Sequence, residues 1–131
     1  MAYTTIDNPE LYFQIVTYTG DGNTGRSITL PGDTDMQPDL VWLKSRGEAE
    51  HHQLTDSVRG VNKQLYSHLA YSEATETDRI TAFNSDGFTI EDDIIVNKDT
   101  VAFVAWCWKA GTAFSNDASA TSVGNTDSSG S

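Results

Sequence analysis

The chain has 131 residues, a length that suits one domain with its own hydrophobic core. Nineteen acidic and eight basic residues give a formal net charge of −11, which repels phosphate backbones and anionic lipids and so argues against nucleic-acid and membrane partners. The single cysteine, Cys107, cannot form an internal disulfide, and neither a signal-peptide pattern nor a run of about 18 apolar residues is visible, so we expect folding in a cytosol.

The N-terminal third predicts an arm followed by a hairpin. Residues 1–10 hold polar residues around a lone Ile6, which is typical of an extended arm. Residues 11–19 alternate as a strand does, and the glycine-rich turn 20–25 leads into a short run at 26–30. The three glycines of that turn suit a tight connection, so the sequence predicts that these two strands pair with each other.

The middle of the chain predicts two strands and a less regular stretch. Residues 39–46 and 53–58 read as strands, each followed by polar or glycine-containing turns. Residues 61–79 fit helical and extended periods equally well, and we interpret them as a strand followed by a loop. Within that stretch, residues 72–78 predict an exposed loop because they are rich in acids and hydroxyls.

Two further strands and a short third one precede the most apolar run of the chain. Residues 80–83 and 88–90 flank an Asn-Ser-Asp-Gly turn, a strong hairpin signal, and 94–96 predicts a short strand. The run VAFVAWCWKAG, residues 101–111, places apolar side chains on both faces of a strand. A strand of this kind predicts a central position, with each face covered by other parts of the structure.

Residues 112–131 are dominated by Ser, Thr, Ala and Gly without a basic residue, which predicts a flexible linker or tail. The predicted organisation is therefore an N-terminal arm (1–10), a folded domain (11–111) and a C-terminal tail (112–131). Short strands spaced roughly ten residues apart predict an all-β fold, a small antiparallel β-sandwich of jelly-roll or concanavalin-like type.

The sequence offers no catalytic motif. Zinc is not expected, because the spacing of His51, His52 and His68 matches no zinc motif and adjacent residues of an extended chain point to opposite faces. No Gly-x-Ser-x-Gly segment is present, and the acids around the 84–93 hairpin lie on turns that nothing desolvates. We therefore expect a protein that is not an enzyme and needs no cofactor.

Calcium is the one ion that the turn chemistry favours. Asp21 and Asn23 precede the strand at 26–30, and Asp33 and Asp35 follow it. Turn carboxylates and amides are hard oxygen ligands, so these four residues are candidate calcium ligands, although they do not match an EF-hand loop. Solvated turn acids that bind no ion are the alternative.

The aromatic residues divide into predicted core residues and predicted contact residues. Phe13, Phe83, Phe88, Phe103, Trp42 and Trp106 fall in strand patterns and are expected in the core. The arm and the irregular loop are expected to contact partners, through Tyr3, Ile6, Pro9, Tyr12, Tyr66 and Tyr71. Asp56 and Arg59, three residues apart, predict an ion pair that fastens a loop.

Several segments, taken in order, resemble a known family. They are TTIDNPELYFQ, VTYTG, MQPDLVWLKSR, LTDSVRG, TAFNSDGFTI and FVAWCWKAG. Together they are similar to the opening domain, of undefined function, of virion proteins in tailed bacteriophages, many of them marine. In that family the domain often begins a fibre or appendage chain that continues through Ser/Thr/Gly-rich linkers into concanavalin-like modules.

The resemblance implies a virion protein assembled in the host cytoplasm, with a role in a tail fibre, an appendage or capsid decoration, and in host attachment. It supplies no active site. The partners that it implies are other virion proteins and further copies of the chain, for which we predict a homotrimer. The alternative hypothesis is a lectin-like module that binds host-surface glycans, with calcium as an optional ligand.

Overall fold

A computed structural model of the chain describes residues 7–110, together with the backbone of two short strands in the C-terminal stretch. The elements in chain order are a 3-10 helix (Pro9–Leu11), β1 (Phe13–Thr19), β2 (Arg26–Thr29), β3 (Leu40–Ser45), β4 (Gln53–Asp56), β5 (Lys63–Gln64), β6 (Ala74–Thr75), β7 (Ile80–Asn84), β8 (Gly87–Ile90), α1 (Ile94–Asn97), β9 (Ala102–Trp108), β10 (Phe114–Asn116) and β11 (Ser128–Gly130).

Two antiparallel sheets make up most of the fold. One has four strands in the order β1-β9-β3-β4, and the other has three in the order β2-β8-β7. Two minor pairs, β5-β6 and β10-β11, are also antiparallel. The predicted all-β, antiparallel β-sandwich is confirmed.

The core lies between the two main sheets. The four-stranded sheet contributes alternate residues of its strands, among them Phe103, Ala105 and Cys107 of β9, all fully buried. Phe88 and Ile90 of β8 belong to the same buried cluster. Alternation produces this arrangement because residues two apart in a strand point to the same side of the sheet.

The hairpin predicted for the strands around residues 11–19 and 26–30 is wrong. β1 pairs along its whole length with β9, whereas β2 pairs with β8 in the other sheet. The glycine turn between them packs against residues 97–101 instead: the N–H of Gly20 donates to the carbonyl of Val101, and a Cβ on Gly20 would lie 2.0 Å from the carbonyl oxygen of Lys98. The glycines thus permit a close backbone approach between segments distant in sequence.

The short strand predicted at 94–96 is also wrong, because this segment forms α1. The side chain of Asp93 accepts a hydrogen bond from the N–H of Ile95 at 2.7 Å and caps the turn. Three apolar residues in a row are too few to define a period, so the acidic cap decides the local conformation.

The structure also refines the predicted arm, loop and tail. Asn8 caps the 3-10 helix Pro9–Leu11, so the last residues of the predicted arm are not extended, and residues 1–6 lie outside the described residues. β6 lies within the predicted loop 72–78. In the range 112–131, β10 pairs with β11, and the remaining residues lie outside the described part.

The central position predicted for the apolar run is confirmed, since β9 lies between β1 and β3. The expectation that both of its faces are covered is not met within the described residues. One face carries the fully buried residues of the core, and the opposite face, which includes Trp106 and Trp108, is only half-buried.

Candidate functional site

The candidate site is the side of the four-stranded sheet that points away from the core, here called the outer face. Strand register arranges its residues in three rows that cross the sheet. The first row is Phe13, Trp108, Leu40 and Asp56; the second is Ile15, Trp106, Trp42 and Leu54; the third is Thr17, Val104 and Lys44. The second row is entirely apolar, and the first is apolar except at its β4 end.

The outer face leaves large apolar side chains in contact with solvent. Phe13 is 38% exposed and Ile15 is 45% exposed, although both belong to the regular strand β1. The two residues before β1, Leu11 and Tyr12, are exposed to a similar degree and extend the apolar surface past the start of the strand. A contiguous apolar patch on a single-chain surface is a common mark of an interaction site.

All three tryptophans of the chain lie on the outer face. Trp42 and Trp106 face each other across β3 and β9 with ring centroids 5.5 Å apart and an interplanar angle of 51°. Phe13 and Trp108 form a second tilted pair, at 5.1 Å. Phe13, Trp42 and Trp106, expected in the core, therefore belong to the outer face, whereas Phe88 and Phe103 are core residues as predicted and Phe83 packs partly buried against the core.

A cavity of about 550 Å³ opens at the first-row end of the outer face. Leu40 and Trp108 belong to its lining, and the loop after β4 and the residues after β9 complete it with Val58 and Ala110. Val58 is 77% exposed, so this end of the face is accessible.

Two ion pairs flank this cavity. Lys109 Nζ lies 3.2 Å from Asp39 Oδ2, and Arg59 Nε lies 2.7 Å from Asp56 Oδ2, so the ion pair expected from the 56–59 spacing is present. The carboxylates have further partners: Asp39 accepts from the Ser57 hydroxyl and the Ala110 N–H, and Asp56 accepts from the N–H groups of Val58 and Arg59. Each carboxylate is thus paired with a cation and also holds nearby backbone in place through hydrogen bonds.

The structure brings all three histidines of the chain together, which their spacing did not predict. His51 Nδ1 lies 2.9 Å from His68 Nε2, and the rings of His52 and His68 are 5.2 Å apart. His52 Nδ1 accepts a hydrogen bond from Trp42 Nε1 at 2.9 Å, which connects the histidine cluster to the outer face. Partial burial, with added repulsion from His68 and Lys44, lowers the pKa of His52.

Among the described residues, no group of three or more His, Cys, Asp or Glu side chains has an arrangement that could hold a metal ion. In the cluster, the neutral form of His52 that accepts from Trp42 at Nδ1 carries its proton on Nε2. Both of its ring nitrogens are therefore unavailable for ligation while that bond exists, and the cluster does not offer three ligands.

The four candidate calcium ligands do not form one site. Asp21 follows β1, and its Oδ1 accepts from the backbone N–H of Asn23 and from Asn97 Nδ2. Asp33 donates its N–H to Glu10, which precedes β1, so the two halves of the set are separated by the length of that strand, about 20 Å. Asp35 lies in the same connection as Asp33. The hydrogen bond from the Asn23 N–H lowers the pKa of Asp21, and Arg26 adds a weaker effect of the same sign.

The predicted contact residues have different environments. Tyr3 and Ile6 lie outside the described residues, and Pro9 begins the 3-10 helix. Tyr71 is 64% exposed, whereas the hydroxyl of Tyr66 accepts a hydrogen bond from Arg79 at 2.9 Å and so takes part in a structural network. Among the predicted contact residues that the structure describes, Tyr12 and Tyr71 are the ones with large exposed side chains.

Comparison with known proteins gives one match. A family model described as a domain of unknown function, DUF7483, matches residues 8–130, which is most of the chain. Neither a curated protein nor a solved structure matches the chain. In the part of the chain that the structure describes, every helix is too short or too polar to span a bilayer.

Proposed function

The chain belongs to the DUF7483 family of domains of unknown function, and we propose that it is a non-enzymatic structural protein of a bacteriophage virion. In this proposal it anchors a tail fibre or appendage, or decorates the capsid, and it contributes to host-surface attachment. It is assembled in the host cytoplasm and acts in the virion, bound to other virion proteins and to further copies of itself.

The observation that carries the proposal is the outer face. A chain with a net charge of −11 has ample polar surface, yet it keeps three tryptophans, a phenylalanine and several aliphatic residues together on an uncovered side of its main sheet. An exposed apolar surface of this kind lowers solubility, and in an assembled particle neighbouring subunits cover such surfaces. A role in binding a partner explains this apolar surface better than a catalytic role does.

The cavity beside the outer face supports the non-enzymatic part of the proposal. A carboxyl group that acts as a general acid or base must be free to exchange a proton with a substrate. Asp39 and Asp56 are instead ion-paired to Lys109 and Arg59, and they also accept hydrogen bonds from the backbone N–H groups of Ala110 and Val58 respectively. Their geometry is that of loop anchors.

The virion setting is supported by the segment resemblance, which includes the strands that build the outer face. VTYTG, MQPDLVWLKSR and FVAWCWKAG supply much of β1, β3 and β9. The segments that resemble phage virion proteins are therefore largely the ones that form the four-stranded sheet.

Immunogold labelling of purified phage particles tests the proposal. An antibody raised against residues 1–111 is expected to label intact particles, over the head for a decoration protein or at the tail for a fibre or appendage anchor. Pre-immune serum on the same particles is the control. Particles that carry no label, and whose proteins lack this chain by mass spectrometry, would overturn the proposal.

A glycan-binding module is the second candidate, because the half-buried Trp108 in the lining of the cavity can stack on a pyranose ring. A glycan array probed with the full chain tests it, with Trp108→Ala expected to abolish any binding if the cavity is the site and Ile94→Ala, on α1, as the control. Repeating the array and a thermal melt with calcium tests the ion, since a ligand bound only by the folded state raises Tm. An array without binding at any calcium concentration rules out this candidate.

A further inference from the structure

We propose that the outer face is the interface between two copies of this chain, packed sheet against sheet around a two-fold axis. This inference rests on the proposed function, because it names the partner of the same surface. The inference adds that the partner on the outer face is a second copy of the chain, related to the first by a two-fold axis.

The composition of the face is that of a sandwich interior. Its middle row, Ile15, Trp106, Trp42 and Leu54, has no charged residue, and sheets pack about 10 Å apart when rows of this kind face each other. A sugar would place its hydroxyl groups against aliphatic side chains, where they lose water without gaining partners. The indole N–H of Trp42 is already bonded to His52, so it does not compensate. An apolar protein surface is the better complement.

The distribution of charge favours a second copy of this very chain. Two molecules that each carry −11 repel, unless they approach through a surface that lacks the excess acid. The outer face and its cavity include the acids Asp39 and Asp56 together with the bases Lys44, Arg59 and Lys109, and Glu10 lies beside Phe13 and Ile15 at the β1 edge. This surface is therefore close to neutral, and the acids that make the chain negative lie elsewhere.

The size of the face is consistent with reversible pairing. Four strands about 4.8 Å apart and three rows of side chains cover a footprint of roughly 300 to 400 Å². Projecting side chains, the cavity lining and the exposed residues Leu11 and Tyr12 enlarge the area that becomes buried. The total lies at or below the lower end of the range for specific interfaces, roughly 600 Å² on each partner, so we expect a dimer that dissociates on dilution.

A single docking face on each subunit produces a pair. In a two-fold dimer the same patch of both subunits meets, whereas a ring of three needs two different complementary patches on each subunit. The outer face supplies one patch, so this geometry favours a dimer over the homotrimer predicted from the sequence.

Light scattering coupled to gel filtration tests the proposal on the full chain over a range of concentrations. The expected mass rises from the monomer value of 14.3 kDa to twice that value. Ile15→Lys places a charge in the middle row and is expected to keep the chain monomeric. Ile94→Lys is the matched control, because Ile94 is an equally large residue, 57% exposed, on α1 rather than on the outer face, and this variant is expected to dimerise like the parent.

Two further measurements keep the test decisive if Ile15→Lys fails to fold. Val58→Lys changes a loop residue at the edge of the same face, and it is expected to weaken the dimer without affecting the fold. Because all three tryptophans lie on the face, their emission is expected to shift to shorter wavelength and their quenching by acrylamide to fall as the concentration rises. A monomer at all concentrations, a trimer, or a dimer that survives Ile15→Lys in folded form would overturn the proposal.

The outcome is separable from that of the proposed function. A monomeric chain that is present on phage particles would refute the dimer and keep the virion role. A dimer that depends on Ile15 but is missing from particles would do the reverse.

Discussion

Trp42 and Trp106 face each other on adjacent strands of the four-stranded sheet, with ring centroids 5.5 Å apart. They lie on its outer face, which the opposing three-stranded sheet does not cover. The residue next to Trp106, Cys107, points to the other side of the same sheet and is fully buried. The two sides of one strand thus differ: one packs in the core of the domain, and the other belongs to the surface that we propose as an interface.

The first prediction compares the two sides of β9. Phe103→Ala removes a fully buried ring and is expected to lower the free energy of unfolding by about 3 to 5 kcal/mol. Trp106→Ala removes a half-buried ring and its pairing with Trp42, and the expected loss is about 1 to 2 kcal/mol. Urea unfolding followed by circular dichroism, at a concentration where the chain is monomeric, measures both. Equal losses would mean that the outer face is packed like a core.

The second prediction concerns Arg79, whose side chain is nearly inaccessible. It donates to the Oε1 of Gln53 at 2.8 Å and to the Tyr66 hydroxyl, and it pairs with Asp93 at 3.4 Å. Arg79→Met leaves these groups without their partner in a poorly solvated place and is expected to cost about 3 kcal/mol.

Arg59→Met is the control for that experiment. The Arg59–Asp56 pair is shorter, 2.7 Å, but the Arg59 side chain is 45% exposed, so its loss is expected to cost less than about 1 kcal/mol. Chemical denaturation of both variants measures the difference. A larger effect for Arg59 would contradict the view that burial, and not distance, sets the contribution of these ion pairs.

The third prediction concerns Cys107 at alkaline pH. Burial raises the pKa of this thiol from 9.0 to about 12, and burial also raises the pKa of Tyr18. The unfolded chain releases the thiol proton near pH 9.0 while the folded chain keeps it, so the free energy of unfolding falls as the pH rises from 9.0 toward 12.

Two measurements check this prediction. Cys107→Ala is expected to show a shallower decline of stability over the same pH interval, and Tyr18→Phe is expected to do so above pH 10.0, the ordinary pKa of tyrosine. At neutral pH, dithiobis-nitrobenzoate is expected to react with the thiol only after urea unfolds the chain. Rapid reaction in the absence of urea would show that the core opens locally.

The fourth prediction concerns His52 at acidic pH. Its pKa is lowered, so the unfolded chain takes up this proton near pH 6.5 while the folded chain resists it, and the free energy of unfolding falls as the pH drops below 6.5. Protonation at Nδ1 also removes the acceptor of the Trp42 hydrogen bond.

Tryptophan emission during an acid titration, together with the unfolding free energy at about pH 7 and about pH 5, measures both effects. His52→Gln is expected to remove the emission change that His52 causes and to reduce the slope. A titration curve that is unchanged in this variant would assign the acid sensitivity to other groups.

Several elements could be read from the sequence because they depend on local interactions. The alternation of residues 101–111 predicts β9, and the Asp86-Gly87 turn predicts the β7–β8 hairpin, since side-chain period and turn conformation are set by neighbours in the chain. The pairing of Asp56 with Arg59 could also be read, because a spacing of three residues keeps the partners close whatever the rest of the chain does.

The pairing of strands could not be read in the same way. The turn after β1 suggested β2 as its partner, yet β1 pairs with β9, more than eighty residues later. Local sequence determines that a segment is extended, but the choice of partner depends on which combination of pairings buries the most apolar surface over the whole chain. The histidine cluster follows from this choice, because β3, β4 and the segment around Leu65 must be in place before His52 and His68 meet.

The outer face shows most clearly which features the sequence determines and which depend on the tertiary structure. By itself the sequence determined that β9 is apolar on both sides, because a period of two is a property of the strand alone. Only the tertiary structure decided which side is covered, because the residues that the structure describes form one opposing three-stranded sheet, and that sheet covers one side. The half-buried tryptophans on the other side are the physical result of two apolar faces and a single covering layer.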